Sequence, residues 1–263
     1  MRWSCSVSMM FREHPVRERI AAARAAGFDG VEIQVPAEAD ADVWAAAQAG
    51  GGIPVALMNV DLGDFLAGGA GLSGVPGREA AFRAAAEDAL ALAPRVGCTH
   101  LHLGPSRVAE GSSREAGLAV LEANLAWLAP RAQQRGVQLL VEPLNRVETP
   151  TALLAQLDEA VDFITSVRAR GLPLALQFDA YHVAANGEDP AQAFERVREL
   201  VAHVQFADHP GRKPPGAGQL DFDRLMRCLR AAGYDGWCGA EYLAPSGAAA
   251  TLDWLPRLKA IAA

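Results

Sequence analysis

The sequence lacks the features of several protein classes. It contains four cysteines, Cys5, Cys98, Cys228 and Cys238, and no Cys-x-x-Cys pair. This spacing favours small buried hydrophobes in a reducing compartment over a disulfide scaffold or a cysteine zinc site. No apolar run approaches membrane-spanning length, and no apolar signal-peptide core follows Met1. We therefore expect a cytoplasmic protein that does not associate with a membrane.

The sequence also has fewer basic than acidic residues. The 24 Lys and Arg residues are outnumbered by 31 Asp and Glu, which gives a net charge of −7. Because phosphate binding depends on clustered Lys and Arg, this balance argues against a nucleic-acid partner. Hydrophobic residues make up 51% of the 263 residues and charged residues 21%, an ordinary globular composition. The length suits one α/β barrel domain covering residues 1–263.

Short β-like runs alternate with longer helical patterns rich in Ala, Leu and Arg. Strands are predicted at 3–7, 31–35, 54–60, 100–104, 137–142, 174–179, 203–207 and 236–242. Helices are predicted at 15–27, 40–49, 78–96, 113–134, 151–170, 189–200 and 221–232, with a last one ending near 261. Eight right-handed β/α crossovers predict a closed (β/α)₈ TIM barrel. The rival is an open doubly wound sheet, but no Gly-x-Gly-x-x-Gly follows the first strand.

Two departures from regular structure are expected within this pattern. Pro94 should distort or end the last turn of its helix, and Pro130 should kink another. The Gly-rich loop at 63–77 is long enough to act as a functional lid.

Four consecutive strands end in an oxygen-bearing side chain. These are Glu142, Asp179, Gln205 and Glu241. Because side chains two apart on a strand share a face, each should point to the barrel axis near one rim. The intervening residues should point outward under the helices: Val141, Phe178, Val204, Phe206 and Cys238. Three carboxylates and one amide oxygen predict a site for a divalent metal, Mg²⁺ or Mn²⁺.

Histidine adds less to this prediction. The sequence contains six His and no His-x-x-x-His pair, so a zinc site is not indicated. His100 and His102 share one face of the fourth strand, which leaves open both an imidazole ligand and a packed, hydrogen-bonded role.

A metal at this rim could hold two neighbouring oxygens of a hydroxy-carbonyl substrate. Polarising the carbonyl acidifies the adjacent C–H and stabilises the enediolate that forms when its proton leaves. Glu142 and Glu241 suit the two proton transfers, since one carboxylate can remove the proton and the other return it to the next carbon. Candidate substrate contacts are His182, His209 and Arg212; Arg212 could pair bidentately with a substrate carboxylate.

The sequence resembles the hydroxypyruvate isomerase family, within the xylose-isomerase-like sugar isomerases and epimerases. The resemblance rests on Val141-Glu142-Pro143-Leu144-Asn145, Phe178-Asp179-Ala180-Tyr181-His182, the run from His203 to Arg212, Pro215-Gly216-Ala217-Gly218 and Gly239-Ala240-Glu241-Tyr242, and on the earlier pieces 10–13, 25–32 and 76–79. It implies a TIM barrel without a redox cofactor, a divalent metal on Glu142, Asp179, Gln205 and Glu241, and proton transfer by Glu142 and Glu241. The implied reaction converts hydroxypyruvate to 2-hydroxy-3-oxopropanoate.

The chain departs from the family at residues 67–71, at His209, at residues 146–149 and at His100 and His102. These departures lie where a substrate would be held, so a 2-oxo-tetronate isomerase and a ketose 3-epimerase stay open as alternatives. A metal-dependent endonuclease is disfavoured because it needs more histidines and a basic groove. A non-enzymatic binder is disfavoured because all four candidate ligands are present. The oligomeric state is undecided, and a homo-oligomer is compatible with the sequence.

Overall fold

Eight parallel strands close into a barrel in chain order in the computed structural model, which describes residues 1–244 and 247–263. The strands are β1 Arg2–Ser6, β2 Gly30–Ile33, β3 Val55–Asn59, β4 His100–His102, β5 Gln138–Val141, β6 Ala175–Asp179, β7 Val201–Phe206 and β8 Trp237–Ala240. β8 pairs with β1, with Ser4 opposite Gly239, and this pairing closes the ring. The TIM-barrel prediction is confirmed.

Helices surround the barrel. They are α1 Val16–Ala25, α2 Ala41–Gly51, α3 Glu79–Leu92, α4 Arg114–Gln134, α5 Leu157–Ala169, α6 Ala180–Ala185, α7 Pro190–Val197, α8 Phe222–Ala231 and α9 Trp254–Ala262. Each predicted helix has a counterpart here. Throughout residues 1–244 and 247–263, every helix is too short or too polar to cross a lipid bilayer.

The strand residues alternate between two environments, as the sequence pattern predicts. Val141, Phe178, Val204 and Cys238 belong to the large hydrophobic cluster that the strands form with the surrounding helices. Leu140 instead packs with Leu57 and Ala175 in a separate small cluster. This alternation directs the polar members of strands β5 to β8 away from the helices.

Local chemistry explains where the helices differ from the predicted ones. α3 ends at Leu92 and continues as a 3₁₀ turn at Ala93–Val96, as expected from Pro94, whereas α4 runs from Arg114 to Gln134 with Pro130 inside it. The predicted start of a helix at Thr151 is wrong: α5 begins at Leu157, where Gln156 and Glu159 form a capping box.

No helix is predicted from the sequence between Asp179 and residue 189, but the structure has the short helix α6 there. The Asp179 carboxylate caps this helix by accepting a hydrogen bond from the Tyr181 backbone N–H at 2.9 Å. Asp179 thus ends β6 and caps α6, and its side chain is also a candidate metal ligand.

Candidate metal and active site

The four predicted ligands lie at the carboxyl ends of neighbouring strands. Asp179 ends β6, Gln205 lies in β7, and Glu142 and Glu241 directly follow β5 and β8. Asp179 and Gln205 are Cα partners in the β6–β7 ladder. Asp179, Gln205 and Glu241 are buried, and the side chain of Glu142 is 9% exposed. In TIM-barrel enzymes this end of the barrel carries the active site.

Two of these carboxylates form a compact group with His182. The ligand atoms of Glu142, Asp179 and His182 all lie within 4.8 Å of one another, close enough to hold a metal ion. Glu142 Oε1 and Asp179 Oδ2 are buried and accept no hydrogen bond from residues 1–244 or 247–263. Buried carboxylate oxygens normally have a partner, so their free lone pairs fit a hard cation.

Arg212 supplies positive charge to the same group. Its Nη1 donates to Glu241 Oε2 at 2.8 Å, and its Nη2 lies 3.6 Å from Asp179 Oδ2. The guanidinium also lies 4.6 Å from the centre of the Tyr181 ring, within range of a cation–π interaction. Sequence reasoning placed Arg212 at this mouth as a substrate contact, and the structure shows that it also pairs with a candidate catalytic carboxylate.

Burial dominates the acid–base properties of the carboxyl groups. It raises the pKa of Glu142 well above its usual range, and the charges of Glu241 and Asp179 raise it further. Burial also raises the pKa of Asp179 to about 6 and that of Glu241 to about 7, although Arg212 opposes both shifts. Groups with pKa values near neutrality can both accept and release a proton at physiological pH.

His182 is held on both sides of its ring. The Asn145 side-chain amide approaches Nδ1 at 2.7 Å and Arg212 Nη2 approaches Nε2 at 2.8 Å. Asn145 Oδ1 accepts from the Glu148 N–H at 2.7 Å, so its NH₂ group faces the imidazole. Burial, and then the charge of Arg212, lower the pKa of His182 well below its usual range. His182 is therefore neutral, and its single ring lone pair accepts from Asn145 or from Arg212 according to the tautomer.

A buried carboxylate shapes the loop that presents Arg212. Asp208 accepts hydrogen bonds from the backbone N–H groups of Gly216, Gly218 and Leu220 at 2.8, 2.7 and 3.0 Å. A Cβ at Gly218 would come within 2.4 Å of Asp208 Oδ1. Arg212 itself has a φ of 50°, a conformation that residues other than glycine rarely adopt. Strained backbone of this kind concentrates at functional sites.

A cavity of about 620 Å³ opens above the carboxylates. Glu142, Glu241, His182 and Arg212 contribute to its lining, and Leu62, Phe65, Leu66 and Leu144 form an apolar part of the wall. Phe65 and Leu66 belong to the Gly-rich loop after β3, which contains a 3₁₀ turn at Phe65–Ala67. The predicted loop is therefore part of the cavity wall.

The other histidines named from the sequence have different surroundings. His209 lies 5.8 Å from the Tyr181 ring and is not among the residues lining the cavity. His102 Nδ1 lies 3.2 Å from Asn59 Oδ1, and His100 Nδ1 lies 3.1 Å from the Ala56 carbonyl oxygen. Burial lowers the pKa of His102 to about 3 and that of His100 to about 4. Of the two roles left open for this pair, the packed and hydrogen-bonded one fits these contacts.

Sequence reasoning gave no role to Glu32, which lies in β2 and is fully buried. It accepts hydrogen bonds from residues of β1 and β7, including the candidate ligand Gln205. The available signal was a charged residue between the apolar Val31 and Ile33 of a short strand. Such a charge requires partners, but the sequence does not say which residues provide them.

The fold and the placement of these side chains define a TIM-barrel enzyme, with its cavity and acid–base groups at the carboxyl ends of the strands. The chain belongs to the xylose isomerase-like TIM barrel family, whose model matches residues 20–258. The predicted family resemblance is confirmed, and the protein is an isomerase.

Individual relatives match over nearly the whole chain. A 2-oxo-tetronate isomerase of Cupriavidus necator is 35% identical over 254 residues, which cover 97% of each chain. A hydroxypyruvate isomerase of Escherichia coli is 29% identical, over 97% of this chain and 98% of its own. The crystal structure described as an AP endonuclease of family 2 from Brucella melitensis superposes with a TM-score of 0.90 at 33% identity, covering 97% and 98% of the two chains.

Proposed function

We propose that the protein interconverts hydroxypyruvate and 2-hydroxy-3-oxopropanoate by proton transfer between adjacent carbons, with Glu142 and Glu241 as the transferring groups. The observation that carries the proposal is that two buried carboxyl groups with raised pKa values face one cavity. The named isomerases among the relatives support small hydroxy-oxo acids as the substrate class.

The residues present fit a divalent cation such as Mg²⁺ or Mn²⁺. Among the described residues, Glu142 Oε1 and Asp179 Oδ2 are buried without a hydrogen-bond partner, and Gln205, Glu241 and the imidazole of His182 lie at the same rim. We assign Glu142, Asp179, Gln205 and Glu241 as the ligands. A cation held there would polarise the substrate carbonyl and make the neighbouring C–H more acidic.

The carboxyl pair accounts for both proton transfers. One ionised glutamate removes a proton from C3 of hydroxypyruvate, and the other, protonated, delivers a proton to C2. The hydroxyl proton moves from O3 to O2, so the substrate and the product are isomers and no redox partner is needed. Mutual repulsion between the two buried glutamates favours the state in which one of them carries a proton.

Arg212 and His182 are suited to orient the substrate. Arg212 lines the cavity and is held by Glu241 and Tyr181. Its planar guanidinium can pair with the carboxylate of a substrate acid. The neutral His182 lies beside it and can contact a substrate hydroxyl. His209, which does not line the cavity, is better suited to support Tyr181 than to contact substrate.

The test is a side-by-side assay of hydroxypyruvate, 2-oxo-tetronates and free ketoses, each with Mg²⁺ or Mn²⁺ and each in D₂O. We expect turnover of hydroxypyruvate with solvent deuterium appearing on the carbon that is protonated. Glu142→Gln and Glu241→Gln should each lower kcat/KM by at least about 100-fold. Turnover of ketoses alone would contradict the acid-isomerase proposal, and glutamine variants with unchanged rates would exclude the proton-transfer pair.

A second candidate is isomerisation of a 2-oxo-tetronate at the same site. It is favoured by the 35% identity to the Cupriavidus necator relative with that name. The cavity of about 620 Å³ has room for the additional carbon. A higher kcat/KM for the four-carbon acid in the same assay would select this candidate.

A further inference from the structure

A buried hydrogen-bond network lies beneath the candidate metal site, centred on Glu32. Glu32 Oε1 accepts from Ser4 Oγ at 2.7 Å and lies 2.8 Å from His203 Nε2. Glu32 Oε2 accepts from Gln205 Nε2 at 2.6 Å and from Gln34 Nε2 at 2.8 Å. Glu32, Ser4, His203 and Gln205 are completely buried. Both carboxylate oxygens therefore have partners, as a charge inside a protein requires.

Donors surround both carboxylate oxygens of Glu32. The Ser4 hydroxyl faces Oε1, and the side-chain amides of Gln205 and Gln34 face Oε2. Glu32 therefore acts only as a hydrogen-bond acceptor in this network.

An acceptor-only partner fixes which way the Gln205 amide faces. A glutamine side chain has one NH₂ donor and one oxygen acceptor, so its NH₂ must face Glu32 and its oxygen must face the other way. The amide of Gln177 donates to that oxygen from β6. Gln177 is two residues before Asp179 and shares its face of the strand. The Gln205 oxygen is thus turned toward the strand that carries a candidate ligand.

We propose that Glu32 is a positioning residue that keeps the Gln205 amide oxygen directed toward the metal site. This inference rests on the proposed function, in which Gln205 is a ligand. Glu32 acts through Gln205 and is not among the described residues that line the substrate cavity. A glutamine at position 32, which can donate as well as accept, would let the Gln205 amide rotate and present its NH₂ group, which cannot bind a cation.

The neighbouring strand leaves space for this carboxylate. A Cβ added at Gly239 in β8 would come within 1.7 Å of Glu32 Oε1. The atoms that this Cβ would meet are the carboxylate end of the flexible Glu32 side chain. Gly239→Ala should therefore move the Glu32 carboxylate while preserving the barrel. This variant disturbs the network without deleting any of its polar groups.

The experiment measures the affinity of the full-length protein for Mn²⁺, by electron paramagnetic resonance of the free ion or by calorimetry. The variants are Glu32→Gln, Gln205→Leu, the corresponding double variant and Gly239→Ala. Ser4→Ala is the matched control, because Ser4 contacts the Glu32 oxygen that does not hold Gln205. Thermal unfolding of each variant shows that it is folded.

Glu32→Gln and Gly239→Ala should each weaken Mn²⁺ binding by roughly 10- to 100-fold, the usual effect of losing a residue that orients a ligand. Ser4→Ala should stay within about twofold of the wild type, as expected for a loss that leaves the orienting contact in place. In the Gln205→Leu background, Glu32→Gln should cause no further loss, since its effect passes through Gln205.

The outcomes separate the two proposals. If the wild-type protein fails to bind Mn²⁺, the proposed metal-assisted function is lost and this inference with it. If Gln205→Leu weakens binding but Glu32→Gln and Gly239→Ala do not, the positioning role alone is overturned. If Glu32→Gln weakens binding equally with and without Gln205, Glu32 acts by another route and the inference is likewise rejected.

Discussion

Replacing Arg212 with methionine tests whether the carboxylates at the rim are held in place by one internal cation. Arg212 Nη1 donates to Glu241 at 2.8 Å, its Nη2 lies 3.6 Å from Asp179, and its side chain is 17% exposed. Methionine has a similar length and stays apolar. Arg212→Met therefore removes the charge and keeps most of the packing against Tyr181.

The expected loss of stability can be estimated from these contacts. Removing one partner of a buried ion pair costs about 3–5 kcal/mol, because the remaining charge is left uncompensated. Glu241 limits this cost, since its pKa of about 7 already allows it to bind a proton. We expect a loss of about 2–4 kcal/mol at pH 8. Each kcal/mol corresponds to roughly 2–4 °C in a chain of this size, so Tm should fall by about 4–16 °C.

The loss should depend on pH in a definite direction. The folded-state pKa of Glu241 is raised above its unfolded value, so its ionisation opposes folding. That cost is fully present above the folded pKa and disappears as the pH falls toward the unfolded value. Without Arg212 the folded pKa rises further. The difference in Tm between wild type and Arg212→Met should therefore be smaller at pH 5.5 than at pH 8.

The measurement is thermal unfolding in the presence of a chelator at both pH values. Arg146→Met is the control, because Arg146 forms an exposed ion pair with Glu159 at 2.6 Å. An exposed pair contributes about 0–1 kcal/mol, so this variant should stay close to wild type. A Tm for Arg212→Met as high as that of Arg146→Met at pH 8 would refute the reasoning. An equal loss at both pH values would refute the assigned cause.

Three further predictions follow from the same site. Glu142→Gln should raise the metal-free Tm at pH 8 while lowering activity, because it removes a buried carboxyl group whose raised pKa opposes folding at that pH. Calorimetry beside the steady-state assay checks both effects. Chelated wild-type protein should lose stability between pH 5.5 and 8 through the raised pKa values of Asp179 and Glu241, and saturating Mn²⁺ should reduce that loss. Arg107→Met should raise KM more than it lowers kcat. The Arg107 guanidinium lies 3.9 Å from the centre of the Phe65 ring and donates to the Phe65 carbonyl oxygen at 2.8 Å, and these contacts hold Phe65 in the cavity wall. Steady-state kinetics and limited proteolysis of the loop at 63–77 measure the effect.

The barrel was predictable because its signals are local and repeated. Eight apolar runs, separated by helical patterns of sufficient length, leave few topologies for a parallel sheet. The strands lie within a few residues of their predicted positions, and Pro94 ends α3 as expected. The convergence of the side chains after β5 to β8 could be predicted as well, since it needs only strand periodicity and a closed ring.

Short helices and their caps were harder to predict. α6 has six residues, too few for a helical period to be visible in the sequence. Its cap, Asp179, had already been interpreted as the end of a strand. The start of α5 was misplaced because residues 151–156 contain no helix breaker after Pro150, while Ala152 in fact forms a bridge with Arg107. Local caps set both starts, Asp179 for α6 and the Gln156–Glu159 capping box for α5.

The partners of the site residues depend on contacts that are distant in sequence. Glu32 meets Ser4 and His203, which are 28 and 171 residues away. Arg212 meets Glu241 and His182 at separations of 29 and 30 residues. Composition and periodicity carry no information on such pairs. The sequence could therefore name Arg212 as a cation at the mouth, but it could not show that a carboxylate binds it.

Charge at the rim links stability to function. Glu142, Asp179 and Glu241 contribute three negative charges when ionised and Arg212 contributes one positive charge, so the group carries −3 + 1 = −2. Without a cation, the group reduces this imbalance by taking up protons, and for Glu142 and Glu241 this repulsion adds to the effect of burial in raising the pKa. A divalent cation would balance the same charge without protons, leaving the carboxylates ionised. Occupancy by metal and protonation of the carboxyls are therefore alternatives, and metal affinity should fall steeply as the pH drops below about 7.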